Sequence, residues 1–151
     1  MKFWVTGLED AMYDRASEID EAIEAGRDAL AALRDAADSL DSAQRWGVVD
    51  ILGGGLLTSV VKHSRLGDAN RALADARRAI NRFTHELADV HELADLNANV
   101  GSWNAFFDIA LDNALADILV QKEISDAADR VGAAIDKVEE AVRRLEAARA
   151  R

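Results

Sequence analysis

A lysine and a histidine that could contact phosphate follow three consecutive glycines, Gly53–Gly55. In nucleotide-binding loops the backbone amides hold the phosphates, and a lysine placed directly after the loop reaches the same groups. Here Lys62 lies seven residues beyond Gly55, and no alternating strand pattern precedes the glycines. Because glycine adopts positive φ without steric cost, the triplet instead predicts a tight turn between two helices.

Two carboxylates, Asp50 and Asp108, lie inside apolar stretches of the sequence. A buried carboxylate needs a partner, so we expect pairing with Lys62, Arg65 or Lys122, or capping of a helix start. A catalytic carboxylate pair would also need a complementary base or nucleophile, and no such arrangement is recognisable. We therefore predict a binding role without catalysis. The candidate binding residues are Trp46, Asp50, Gly53, Gly54, Gly55, Lys62, His63 and Asp108.

A possible metal site lies in the repeated sequence HELADVHELAD, where His85, Asp89 and Glu92 are spaced to share one helix face. The zinc-protease pattern is absent, because Asp89 stands where its second histidine would be. Leu87 and Val90 belong to the apolar row of the same helix, so the three polar residues should point outward. A solvated acidic face is the expected outcome, with no metal and no cofactor.

The elements that carry these residues have apolar positions at alternating steps of four and three, the spacing of coiled coils. A capping box at Thr6–Glu9 predicts the first helix start. We predict long helices over 7–43, 66–96 and 102–149, with an apolar, Gly-rich head segment at 46–64. The three rows are Ile19, Ile23, Gly26, Leu30, Leu33, Ala37 and Leu40; Leu66, Ala69, Leu73, Ala76, Ile80, Phe83, Leu87 and Val90; and Ile124, Ala128, Val131, Ile135, Val138, Val142 and Leu145.

Composition agrees with a helical protein, since the chain of 151 residues contains no proline and half of it is apolar. The predicted fold is all-α and forms a single domain over 1–151. It is an elongated antiparallel bundle or coiled coil of about three long helices, with a short Gly-rich helical hairpin at one end. The absence of cysteine excludes disulfides and thiolate chemistry.

The formal net charge of −10 argues against a general nucleic-acid binder. One basic stretch, residues 62–83, holds six basic and two acidic residues. We expect it to lie beside the acidic first helix, and a phosphate-binding strip is the alternative. The N-terminal sequence has neither a signal peptide nor a membrane span, so a cytoplasmic location is expected.

The pattern W-x3-D-x2-G-G-G, followed by K-H-S, D-A and later F-F-D, resembles a family of small all-helical bacterial proteins of unknown function. The shared residues are Trp46, Asp50, Gly53, Gly54, Gly55, Lys62, His63, Ser64, Asp68, Ala69, Phe106, Phe107 and Asp108. The resemblance covers about 45–125. It implies a helical fold and carries no activity.

The sequence leaves three functional hypotheses. The first is a non-enzymatic helical protein that binds a protein partner or itself, as a scaffold, adaptor or homodimer. The second is a peripheral membrane protein whose apolar hairpin 48–61, flanked by Arg45, Lys62 and Arg65, contacts an anionic surface. The third is an enzyme or metal-dependent protein with a wet cavity lined by Asp50, His63 and Asp108.

Overall fold

A computed structural model describes residues 2–53, 56–90, 105 and 121–151, with side chains over 15–45, 67–90, 105 and 124–151. Three long helices make up most of this part: α1 spans Lys2–Gly53, α2 spans Leu56–Ala88 and α3 spans Gln121–Ala150. The described ranges contain no strand. Helix α1 packs against both α2 and α3. The all-helical bundle of the prediction is therefore confirmed.

The side-chain contacts show that α2 and α3 both run antiparallel to α1. Asp28 near the middle of α1 pairs with Arg82 late in α2, whereas Asp35 further along shares a groove with the earlier Asp75. For α3, the ion pairs run from Arg149 at its end to Glu139 further back, and their partners on α1 are Asp20 and Arg34 respectively. Helices α2 and α3 are therefore parallel to each other, and Val90 and Gln121 lie at opposite ends of the bundle.

Helix α1 begins at Lys2, earlier than the start predicted near residue 7. The capping-box residues Thr6 and Glu9 thus lie within the helix instead of at its boundary. A threonine and the neighbouring Gly7 are weak helix formers, but a single glycine costs only about 1 kcal/mol in a helix interior. With no proline nearby, the helix continues through both.

The predicted break after residue 43 does not occur, because α1 continues through Trp46 and Gly47 to Gly53. Helix α2 then starts at Leu56, so the segment from there to His63 forms its first turns. The predicted head segment 46–64 is thus the junction of two long helices. One glycine at position 47 is too small a penalty to end a helix of this length.

Helix α2 ends at Ala88, earlier than the end predicted near residue 96. The amide of Asp89 donates to the carbonyl of Glu86 at 3.2 Å, and that of Val90 donates to Leu87 at 3.1 Å. These bonds span three residues instead of four, the tightened turn with which α-helices often end. The predicted residues beyond Val90 lie outside the described part, as do 102–104 and 106–120 of the third helix.

The core is a continuous set of small and branched apolar side chains between the helices. Leu30 and Leu73 are buried, and Ile135 packs against the core while remaining partly exposed. On α3 the deepest positions are Ile124, Ala127, Val131, Ala134, Val138, Ala141, Leu145 and Ala148. Three alanines, Ala127, Ala134 and Ala141, are therefore more deeply buried than the predicted seam residues that directly follow them.

Gly26 is where the three helices approach most closely among the described glycines. A Cβ added there would lie 2.5 Å from Cγ2 of Val142 on α3 and 2.9 Å from Cε1 of Phe83 on α2. Both distances are shorter than normal van der Waals contact, so no larger residue fits without movement. The missing side chain of Gly26 therefore makes room for one large side chain from each neighbouring helix.

Candidate functional sites

The predicted binding residues fall at the junction of α1 and α2. Trp46, Asp50 and Gly53 belong to the last turns of α1, and Lys62 and His63 to the first turns of α2. Because the two helices are antiparallel and only two residues separate them, these five positions share one end of the bundle. Gly54, Gly55 and Asp108 lie outside the described residues, as do the side chains of the five. The backbone thus places five of the eight predicted binding residues at the same end of the bundle.

Of the suggested metal ligands, His85 lies in the last turn of α2 and Asp89 in the turn that follows, both exposed. Glu92 lies outside the described part. Among the described side chains, no three of the metal-binding types come together. A solvated face at His85 remains our prediction, which a zinc or nickel titration with an unchanged melting temperature would support.

One groove lies between α1 and α3, with a volume of about 590 Å³. Arg27 donates to Glu146 at 3.0 Å and Arg149 donates to Asp20 at 2.9 Å along its length. Charged side chains of both signs thus line the groove together with Ile23 and Ala150. The lining residues are Asp20, Ile23, Glu24, Arg27, Asp28, Glu146, Arg149 and Ala150.

Two smaller grooves lie elsewhere along α1. One, of about 340 Å³, is next to the end of α3, where Arg15 and Ile19 meet Arg149 and Arg151. The other, of about 350 Å³, separates α1 from α2 and is lined by Ala32, Asp35, Asp68, Arg71, Ala72 and Asp75. In the latter, Arg71 donates to Asp68 within the same helix. Each groove is open to solvent and is lined by charged side chains.

The ion pairs on the bundle surface connect α1 to both neighbours. Arg82 bonds Asp28 across to α2, and Arg34 bonds Glu139 across to α3. Their side chains are 35–58% exposed, so each pair contributes only about 0.2–1 kcal/mol to stability. Within the described part of the basic stretch 62–83, Arg82 thus pairs with the acidic α1, whereas Arg71 and Arg78 pair with aspartates of their own helix.

Sequence reasoning did not single out these cross-helix pairs. The available signal was their position beside the apolar rows, where charged residues commonly pair between neighbouring helices. Arg27 and Arg34 directly follow Gly26 and Leu33 of the first row, and the two arginines are seven residues apart. The identity of the partner helix and its register could not be read from that spacing.

Comparison of the chain with protein-family models, with curated proteins and with solved structures gives no match. Among the helices in the described ranges, none contains a stretch both long and apolar enough to cross a bilayer.

Proposed function

We propose that this protein is a non-enzymatic helical interaction or scaffold protein that associates with itself, in the simplest case as a homodimer in the cytoplasm. The observation that carries the proposal is the closely packed interior of the bundle. The seams of α1, α2 and α3 are filled with apolar side chains, and at Gly26 the helices approach to van der Waals limits. Such an interior leaves recognition to the outer faces and the ends of the bundle.

The length and charge of the helices support the same proposal. Helix α1 has 52 residues, or about 78 Å at 1.5 Å per residue, which suits a protein that spaces or aligns partners. Its heptad rows match those through which helices of separate chains also pair. Cross-helix ion pairs at Arg27 and Arg34 hold the register of the rod in the described part.

The finer architecture belongs to this proposal as well. We propose that the seams form coiled coils and that Gly54 and Gly55 close a hairpin between α1 and α2. The apolar residues of the two flanking helix ends then form a head at one end of the rod. The resemblance of this segment to small all-helical bacterial proteins is part of the proposal, and it adds no activity.

A second candidate is peripheral membrane association through the apolar hairpin 48–61. The observation that favours it is the position of these residues at one end of the α1–α2 pair, with Lys62 and Arg65 next to them in α2. Arg45, the third basic flank, already pairs with Asp41 at 2.7 Å. Net acidity also opposes binding to anionic lipid, so self-association is the preferred function.

Sedimentation equilibrium over a range of micromolar chain concentrations tests the proposal. We expect a mass approaching twice the 16.4 kDa of one chain, with a reversible dependence on concentration. A chain that sediments as a stable monomer throughout this range would contradict self-association. Flotation with anionic phospholipid vesicles separates the alternative, since a bound fraction that salt releases would favour membrane contact.

A further inference from the structure

The chain that joins α2 to α3 has to travel along the length of the bundle. The register of the ion pairs places Val90 at the end of α2 level with Arg149 at the end of α3, since both are level with Asp20 of α1. Gln121, where α3 begins, is about 42 Å from that level at 1.5 Å per residue. Residues 91–120 therefore connect two described points at opposite ends of the bundle.

The lengths involved restrict the path of this connection. A single helix over the predicted range 102–149 would begin about 70 Å from the level of Val90. Residues 91–102 would then have to cover this distance, but even a fully extended chain of that length covers only about 43 Å. A helical path for the segment 91–120 covers about 45 Å, which meets the requirement. Ala105, the residue of this segment that the structure describes, is helical and exposed.

The flanks of α2 and α3 that face each other form a groove on the side of the bundle turned away from α1. Ala72 of α2 and Val142 of α3 mark the flanks next to α1, because Ala72 lines a groove with α1 and Val142 lies against Gly26. The opposite flanks therefore form a surface that we call the outer groove. At heptad spacing its residues are Asn70, Arg77 and Thr84 on α2 and Arg130, Lys137 and Arg144 on α3.

The outer groove is basic, and part of it is covered. Thr84 is only 3% exposed, and the Oδ1 atom of Asn70 is buried. The ion-pair register places Arg77 and Lys137 at the same level of the bundle, where both are half-buried. The segment 91–120 has no lysine or arginine, and its acidic residues are Glu92, Asp95, Asp108, Asp112 and Asp117. Charge complementarity therefore favours this segment as the occupant of the groove.

We propose that the segment 91–120 runs back along the outer groove, antiparallel to α2 and α3, and completes a four-helix bundle. The two other sides are crossed by ion pairs, Arg82 with Asp28 and Arg27 with Glu146, which join α1 to its neighbours there. The outer groove is then filled by the chain's own connecting segment and is not a docking surface for a second copy. This inference goes beyond the proposed self-association and does not depend on it.

Spin labels at exposed alanines test this path, and the chain has no native cysteine that would also be labelled. Ala105→Cys is combined with Ala133→Cys on α3 in one variant and with Ala31→Cys on α1 in another, all at exposed positions. Pulsed electron paramagnetic resonance measures the two distances, with excess unlabelled wild type present so that pairs between chains are rare. The distance from 105 to 133 should be shorter than that from 105 to 31 by at least about 10 Å, one interaxial spacing.

A distance from 105 to 31 that is equal or shorter would place the segment on the α1 side and overturn the proposal. The variant with labels at 31 and 133 is the control, since both positions belong to described helices and report whether the labelled bundle keeps its fold. Because all three distances lie within one chain, the result is separate from that of sedimentation. Failure of self-association would leave this inference intact, and the reverse also applies.

A charge change in the outer groove provides a second measurement. Lys137→Glu places an acid opposite the acidic segment, and we expect the melting temperature to fall by about 2–4 °C, with a smaller fall at about 1 M salt. Arg143→Glu makes the same change at an exposed position on α3 away from the groove and should leave the melting temperature nearly unchanged. Equal effects of the two variants would contradict the charge match and, with it, the proposed path.

Discussion

At the residue scale, Gly26 shows how one small residue allows two neighbouring helices to reach the same point on α1. The equivalent positions one and two heptads later in the first row are Leu33 and Leu40, which are both fully buried. Phe83 and Val142 supply the volume that Gly26 lacks. The identity of this residue is therefore a packing requirement and not a means of bending the helix.

Gly26→Ala should destabilise the protein by about 1–3 kcal/mol, the usual result of overpacking a well-filled core. The added methyl would lie 2.5 Å from Cγ2 of Val142 and 2.9 Å from Cε1 of Phe83. Urea unfolding followed by circular dichroism measures the change. Combining the substitution with Val142→Ala removes the closer contact, so the double variant should lose less stability than the sum of the two single variants.

Gly132 provides the matched control on α3. It is exposed and a Cβ added there meets nothing within 4 Å, so Gly132→Ala should stabilise the protein by about 0.5–1 kcal/mol. The gain comes from the lower backbone entropy of alanine in the unfolded chain. If both glycine substitutions destabilise equally in the same urea experiment, steric crowding at Gly26 is not the cause of its effect.

At the element scale, the antiparallel pairing of α1 with α3 depends on a buried seam and on charged residues beside it. The apolar seam supplies most of the free energy, because the ion pairs are substantially exposed. The pairs nonetheless restrict the register, since Arg27 and Arg34 each reach a glutamate of α3 one heptad apart.

A double-mutant cycle on Arg34 and Glu139 should give a coupling free energy of about 0.2–1 kcal/mol. The donor and acceptor are 2.9 Å apart, with side chains 58% and 35% exposed. Because salt screens exposed charges, the coupling should fall towards zero at about 1 M salt. A coupling that persists at high salt would mean that the pair is more shielded from solvent than this geometry indicates. The Arg45–Asp41 pair, which links no helices, serves as the control.

The helical class and most of the seam positions could be predicted from the sequence, because heptad spacing reports directly on helix packing. The helix ends could not, since the Thr6–Glu9 capping pattern and Gly47 are local signals that helix continuation overrides. Alanine rows were also underestimated: Ala134 and Ala141 are fully buried whereas Ala133 is exposed, and residue type alone does not separate them. The candidate site could be placed at one end of the bundle, but the charge pairing across helices needed the three-dimensional register.

At the scale of the whole molecule, the proposed dimer should make thermal stability depend on concentration. Raising the chain concentration about a hundredfold should raise the melting temperature by about 2–5 °C, because folding and association are then linked. Differential scanning calorimetry at several concentrations measures the shift. The variant Ala31→Glu, which adds a charge at an exposed position on α1, should show the same dependence of melting temperature on chain concentration. A melting temperature independent of concentration would contradict linked association.

The pairing of α1 with the last helix, α3, also has a consequence for synthesis on the ribosome. Asp20 and its partner Arg149 are separated by 129 positions, so this side of α1 meets its neighbour only after nearly the whole chain has been translated. The hairpin of α1 and α2 closes through contacts much nearer in sequence, such as Asp28 with Arg82. A nascent chain released before Gln121 would therefore lack the partner of the α1 face that carries Arg27 and Arg34, and this face would be open to chaperones or aggregation.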